Sequence, residues 1–348
     1  MTPGKEQIVY ALGDPVAVDI VAIERELEAL WRTAHSEDGS AVLHAAAFNL
    51  VYVINMAADY GDAPEILRAL TLADPSRALL LRIGDAQTPA SQRAWVTAYC
   101  HRPAPDSQQI CSEFIQVDIT GNETEGVVST LLSLRLPGLP TVFIWDASLP
   151  PAHPLLIALG SQADRVITAL IPPCAPASSW TAFFSLQDDL GHKPLVTDLS
   201  ESLIGAWQNE IAQLFDSHPN AIHDIQAIHL YYETLKIPSE ILFLAAWAAE
   251  VLEWHDENIT LQGTHPVLRF ANGKSITFHG SQKATENSLI EFVIKAQDDD
   301  ITLRCPEPNS DNRLIELIKS QLRIWSPDRR RALTLERLRR WLKEMLFA

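Results

Sequence analysis

Phe48-Asn49-Leu50-Val51-Tyr52-Val53-Ile54-Asn55 is a compact apolar run rich in Val and aromatic residues. Bounded as it is, it reads as a buried strand. Just beyond it, residues 64–72 place apolar side chains at helical spacing, and 79–83 form a second apolar strand. Strand, helix, strand is the unit from which a sheet with helical cover is built. Upstream, Ile20, Ile23, Leu27, Leu30 and Trp31 recur at helical spacing with Glu24, Arg25, Glu26 and Glu28 on the other face, which predicts an amphipathic helix after Asp19.

Farther downstream, β-rich segments 94–100 and 110–119 flank a polar loop with Pro103, Pro105 and Asp106, and so predict an antiparallel hairpin. Residues 131–136 read as helix and 140–145 as a buried strand; after a corner of Pro150, Pro151 and Pro154, residues 165–169 form another strand. The first half is thus an α/β N-terminal domain with a mixed sheet. Residues 172–179, rich in Pro, Ala and Ser, suggest a boundary between domains 1–175 and 176–348. In the second half, helices at 200–215 and 239–254 are separated by a β-like run at 225–232. Asn272-Gly273 marks a hairpin between 267–270 and 275–278. Strands at 292–295 and 301–304 follow, so this half reads as an α+β C-terminal domain with a β-hairpin region and terminal helices.

Composition narrows the function classes. The chain has 348 residues and a net charge of −17, which repels phosphate backbones and disfavours nucleic acid as a partner. Its longest apolar run, 241–249, lies between Glu240 and Glu250 and is far short of the ~18 residues that cross a bilayer. Lys5, Glu6, Asp14 and Asp19 interrupt the amino terminus, so the expectation is a cytoplasmic protein. The four cysteines, 100, 111, 174 and 305, form no Cys-x-x-Cys pair, which fits a reducing compartment. Cys100 and Cys111 would approach each other if they end and begin paired strands; two buried thiols is the expected state, with a redox role as the alternative.

Sites for chemistry are scarce. With 14 glycines the chain has neither a phosphate-cradling Gly-x-x-x-x-Gly-Lys loop nor Gly-x-Gly-x-x-Gly, and it lacks a Gly-x-Ser-x-Gly elbow. His218, His223 and His229, near Asp216 and Asp224, lack the tight spacing of metal ligands, and Asp298-Asp299-Asp300 reads as a solvated turn. No catalytic residue, cofactor or metal is predicted. The segment from Arg323 onward carries eight basic and three acidic residues, a local charge of +5 against −22 for the remainder. Ser326-Pro327-Asp328 reads as its helix start, and Leu335, Leu338, Leu342 and Met345, with Trp341 beside them, form its apolar stripe. Docking onto the protein's own acidic body is expected ahead of contact with a partner or a sugar phosphate.

Several stretches together resemble the glucose-6-phosphate dehydrogenase assembly protein family, OpcA. They are Ala45-Ala46-Ala47-Phe48-Asn49-Leu50-Val51, Pro75-Ser76-Arg77, Cys111-Ser112-Glu113-Phe114-Ile115, Leu139-Pro140-Thr141-Val142-Phe143-Ile144-Trp145 and Ala163-Asp164-Arg165-Val166-Ile167. Thr197-Asp198-Leu199, Ala206-Trp207, Ile211-Ala212-Gln213-Leu214-Phe215-Asp216 and the helix over 242–252 continue the family's order. The resemblance implies an activator that binds the oligomeric glucose-6-phosphate dehydrogenase at the entry to the oxidative pentose phosphate pathway and does no chemistry itself. Aromatic and Arg side chains dominate binding hot spots, so Trp145, Asp146, Trp207 and Arg340 are the partner-contact candidates, with core packing the competing role for each tryptophan. Two other readings compete. A sugar-phosphate lactonase or isomerase would draw on Arg77, Arg165 and the scattered histidines; a redox-responsive adaptor would need Cys100 and Cys111 close and accessible.

Overall fold

The computed structural model describes the chain apart from residues 1–8, 12–15, 38–41, 58–62, 102–107, 122–123, 152, 256–257, 263–264, 281–288, 296–299, 308–313, 325, 327 and 348. The chain divides into two compact units, residues 1–169 with 186–197, and residues 170–185 with 198–348.

In the first unit the elements run β1 (Val9–Ala11), β2 (Val16–Val18), α1 (Ile23–Glu37), β3 (Val42–His44), β4 (Phe48–Asn55), α2 (Ala63–Ala73), β5 (Ser76–Ile83), β6 (Ser91–His101) and β7 (Gln109–Thr120). They continue with α3 (Thr124–Ser133), β8 (Thr141–Trp145), α4 (Pro154–Gly160), β9 (Arg165–Thr168) and β10 (Leu195–Asp198), while the residues of α5 (Ala177–Leu190) are divided between the two units at 185/186. The sheet is ten-stranded, with the path β1-β6-β7-β5-β4-β8-β9-β10. β4 is central and parallel to both β5 and β8; β5 is parallel to β7, and β8 to β9. Leu50, Val51 and Val53 are fully buried, as a strand covered on both faces requires.

β6 and β7 form the expected antiparallel hairpin, with Cys100 directly opposite Cys111. The pair is joined by a disulfide, with Cα atoms 4.1 Å apart, so the expected two free thiols are corrected: pairing in register brings them into bonding range. Other expectations shift. The helix expected at 131–136 begins earlier, as α3. α4, α5 and β10 were not expected at all. Residues 199–203 form a 3-10 turn before the helix proper, because Asp198 accepts from Ser200 N and Glu201 reaches back to the Asp198 amide as a capping box.

The second unit contains α6 (Ile204–Asp216), β11 (Ile225–Tyr232), α7 (Ser239–Val251), β12 (Asn258–Gln262), β13 (His265–Arg269), β14 (Ser275–Gly280), β15 (Leu289–Ile294), β16 (Ile301–Pro306), α8 (Leu314–Leu322) and α9 (Arg329–Phe347). Its six-stranded sheet has the order β12-β13-β14-β11-β15-β16. It is mixed, since β11 runs parallel to β14 and antiparallel to β15. Asn272-Gly273 turns the β13–β14 hairpin, with Gly273 at φ 80°, a left-handed backbone that favours glycine. α9 packs on α7 through buried Leu335, Leu338, Trp341 and Leu342. Its cap is Asp328, whose carboxylate accepts from Arg330 N at 3.0 Å; Ser326 is not the cap, and Pro327 and the Met345 side chain lie outside the described residues. Of the three consecutive aspartates, only Asp300 is described.

A buried ion network closes the start of β5 in the first unit. Arg77 donates to Glu113 Oε2 (2.5 Å), to Glu24 Oε1 (2.6 Å) and to the Leu134 carbonyl (2.8 Å). Glu113 also accepts from Trp31 Nε1 at 3.0 Å and lies 3.3 Å from His44 Nε2. Burial alone would raise the Glu113 carboxyl, but the His44 and Arg77 hydrogen bonds and charges outweigh it and hold the group at about 2. Removing one partner strands the other charge, so Arg77→Met is expected to lower the unfolding free energy by about 3–5 kcal/mol in urea denaturation. Because Glu113 titrates lower in the folded than in the unfolded state, its contribution is complete above about pH 5 and is lost as pH falls toward 2. Glu113→Gln should flatten that acid limb.

Candidate functional site

β4 sends its first connection, through α2, to β5 on one side, and a later connection reaches β8 on the other. The order β7-β5-β4-β8-β9-β10 is that of a doubly wound sheet, in which ligands bind outside the carboxyl ends of the strands where the order reverses. That crevice is the natural place to look for chemistry.

At this end the strands are laced to each other. Tyr52 Oη donates to Asp146 Oδ2 at 2.7 Å, and Asp146 Oδ1 accepts from Ser148 N at 2.8 Å. Asn55 N donates to Ser148 Oγ (3.1 Å), and Asn55 Oδ1 accepts from Ala57 N (2.8 Å). Burial first, and the neighbouring Asp146 carboxylate second, push the Tyr52 hydroxyl above its ordinary range, so it stays a proton donor. A cleft of 460 Å³ opens beside these residues, lined by Asn55, Met56, Gly84, Asp85, Thr88 and Thr120. Its polar groups are engaged within the chain. Asp85 Oδ1 accepts from Gln87 N, Thr88 Oγ1 donates to the Asp85 carbonyl, and Thr120 Oγ1 donates to the Pro89 carbonyl.

A sheet of this order implies a dinucleotide, and the residues do not fit one. The connection after β4 reads Met56-Ala57-Ala58-Asp59-Tyr60-Gly61-Asp62, with one glycine where the pyrophosphate cradle needs three, and with two carboxylates that repel phosphate. Asp85 stands at the end of the second strand, where an acid reads a ribose, but it is the one part of that fingerprint present.

The residues singled out from sequence are dispersed. Asp146 belongs to the crevice. Trp145 is completely buried with its ring 5.5 Å from that of His153, and Trp207 is 3% exposed inside the second unit. Both are core residues and present no surface to a partner, which corrects their candidacy as hot spots. Arg340 is exposed on α9. Cys100 and Cys111 are close but 0% exposed, so the accessibility that a redox adaptor needs is missing. Arg77 and Arg165 are buried in the first unit, Arg165 Nη2 lying 3.4 Å from Thr197 Oγ1. Among the described residues, no group of three or more His, Cys, Asp or Glu is placed to hold a metal ion.

Spacing alone missed a second polar group. His229 Nδ1 lies 3.1 Å from His279 Nε2, the Tyr231 ring stacks on His279 at 4.6 Å, and Tyr231 Oη donates to Glu291 Oε2 at 3.1 Å. The available signal was period two: His229 and Tyr231 share one strand face, and Glu291 and Arg304 pair across β15 and β16. Burial lowers the His229 imidazole below its usual value, opposed by Glu291.

Residues 68–171 match the family model described as glucose-6-phosphate dehydrogenase subunit N-terminal domain, and residues 194–348 match the model for that subunit's C-terminal domain. A relative from Synechococcus elongatus, named OxPP cycle protein OpcA, is 26% identical over 179 residues, which are 51% of this chain and 39% of that protein. The match thus spans well under half of the relative's length. Among solved structures, an oxidoreductase from Thermotoga maritima is 12% identical with a TM-score of 0.42, covering 86% of this chain and 96% of that one. A myo-inositol dehydrogenase from Corynebacterium glutamicum is 8% identical with a TM-score of 0.42 over the same shares.

The lacing of the crevice is testable as structure. Tyr52→Phe removes one hydrogen bond to a charged acceptor and is expected to lower the unfolding free energy by about 1.5–3 kcal/mol in chemical denaturation. The disulfide closes a sequence separation of 11 residues, so reduction is expected to cost about 3 kcal/mol in the same assay.

Proposed function

The chain belongs to the glucose-6-phosphate dehydrogenase assembly family, OpcA, and from that premise we propose that it is a non-catalytic factor that binds glucose-6-phosphate dehydrogenase and shifts it to its active oligomeric state. The observation that carries the reading is the pair of family matches, in chain order and over most of the chain. Membership of that family supports a role for the protein in the oxidative pentose phosphate pathway. Its site of action is the cytoplasm, where that dehydrogenase works; among the described residues no helix is long and apolar enough to cross a membrane.

Geometry at the crevice supports the non-catalytic part. A catalytic site needs groups poised for a substrate; here Tyr52, Asn55, Asp146 and Ser148 are bonded to one another. The mechanism is linkage. A factor that binds the competent dehydrogenase state more tightly than the other shifts the population by the ratio of the two affinities, and a hundredfold ratio corresponds to about 2.7 kcal/mol. Nothing in that scheme requires the factor to touch substrate.

The test is the activity of the cognate dehydrogenase across substrate concentrations with and without the purified protein. A lowered KM or raised kcat, together with a co-eluting complex, is the expected outcome. Unchanged kinetics with no complex refutes the proposal, and turnover of a sugar phosphate by the protein alone favours the lactonase or isomerase reading instead.

A further inference from the structure

Within the second unit, the α6 and α7 helices leave a groove of 180 Å³ whose walls are almost entirely apolar. Ile211 and Phe215 of α6, Trp247 and Val251 of α7, Ile222, and Phe292 of β15 line it. Ile211, Phe215 and Phe292 are buried, but Trp247, Val251 and Ile222 are only partly so, and Ala212 at its edge is exposed. Space of this size is close to the ~150 Å³ that accommodates a benzene ring in a protein interior, so it fits one aromatic or branched side chain. A partly exposed tryptophan beside an apolar hollow is the composition of an anchor pocket rather than of a finished core.

The rim is acidic. Asp216 follows Phe215, Asp224 precedes the lining residue Ile225, and Glu253 follows the lining residue Leu252; all three are exposed and none is in an ion pair among the described residues. Glu253 also has φ 54°, the one non-glycine residue in the left-handed region among the described residues. Helices commonly end on a glycine at such a position, and a side chain there costs stability. Strain of this kind persists where a side chain is needed in place. Here the side chain is an exposed carboxylate next in sequence to a residue that lines the groove.

We propose that this groove is the docking site for the dehydrogenase: it takes one aromatic or branched apolar side chain flanked by Lys or Arg on the partner's surface, the carboxylates at the rim meeting the flanking cations. The inference rests on the activator reading and names the surface that performs it. Apolar insertion sets the lifetime of the complex, and the rim charges steer the encounter and make it sensitive to salt.

The experiment measures binding of the dehydrogenase to three forms of the full chain at low and high salt, with light scattering on each protein alone. Ala212→Arg places a long cation over the groove from an exposed position. The second variant combines Asp216→Asn, Asp224→Asn and Glu253→Gly, which removes the rim charge while relieving the backbone at residue 253. Ala212→Arg is expected to raise Kd at least tenfold. The rim variant should bind more weakly at low salt, lose most of the salt dependence, and melt no lower than the wild type, which separates loss of docking from loss of folding. If the wild type binds and both variants bind equally well with the same salt dependence, the groove is not the site and the activator reading stands. Absence of binding by the wild type overturns both. A wild-type dimer that Ala212→Arg dissociates, with dehydrogenase binding intact, shows that the groove's occupant is a second copy and overturns the proposal.

Discussion

A guanidinium buried beneath a sheet must be answered by carboxylates and carbonyls on every side, and the first unit is organised around that demand. Arg77 sits at the start of β5, and its partners come from α1 (Glu24), β7 (Glu113) and the segment after α3 (Leu134). Three elements far apart in sequence are therefore fixed against one another by a single side chain. Trp31 and His44 share the same acid, with their rings 4.7 Å apart, so the short strand β3 and the last turns of α1 are tied into the network. The attraction outweighs desolvation only because the donor geometry is complete, and that is why loss of one member is so much costlier than replacement of the whole set.

The same device recurs at other strand termini. Asn49 Nδ2 donates to the Leu136 and Leu139 carbonyls while its Oδ1 accepts from Leu136 N, which pins the loop leading into β8. Asp164 accepts from Thr141 N at 2.8 Å. In the second unit, Asp198 accepts from the Leu170 amide and from Ser200. These residues lie in the stretches by which the chain resembles its family. Their roles are architectural: they set where strands begin and which loops are held. Such motifs identify the fold and say little about the partner surface, since the side-chain bonds of Asn49, Asp164 and Asp198 are spent within the chain.

This division explains what could be read from sequence. The strand Phe48–Asn55 was legible to the residue, because a fully buried parallel strand has no competing periodicity, and the Asn-Gly hairpin was legible because its turn demands a positive φ. Helix α5 was not, since its entry lies within the Pro-, Ala- and Ser-rich stretch at 172–179 and its buried Trp180, Phe183, Phe184 and Leu186 are interleaved with polar residues. α9 was legible as a helix but its start was misplaced by two residues, because Ser326 and Asp328 are both good caps and only the backbone decides between them. Burial of Trp145 and Trp207 could not be separated from exposure by composition. The His229–His279 contact joins residues 50 apart through a parallel pairing of β11 with β14, and no local spacing announces it.

The basic carboxyl-terminal segment was the sharpest anomaly in the charge pattern, and three of its cations, Arg331, Arg337 and Arg339, turn inward. Arg331 makes a two-pronged contact with Glu201 (2.6 and 2.8 Å), Arg337 reaches Glu250 at 3.2 Å, and Arg339 donates to the Phe184 carbonyl while lying 4.7 Å from its ring. These three cations of α9 are thus matched to acids and an aromatic ring of their own unit, and the helix's apolar side packs on α7. The net −17 of the chain leaves carboxylates to dominate the charge that an approaching protein meets. A partner selected by that field presents a basic surface, whichever part of the acidic exterior it finally seats on.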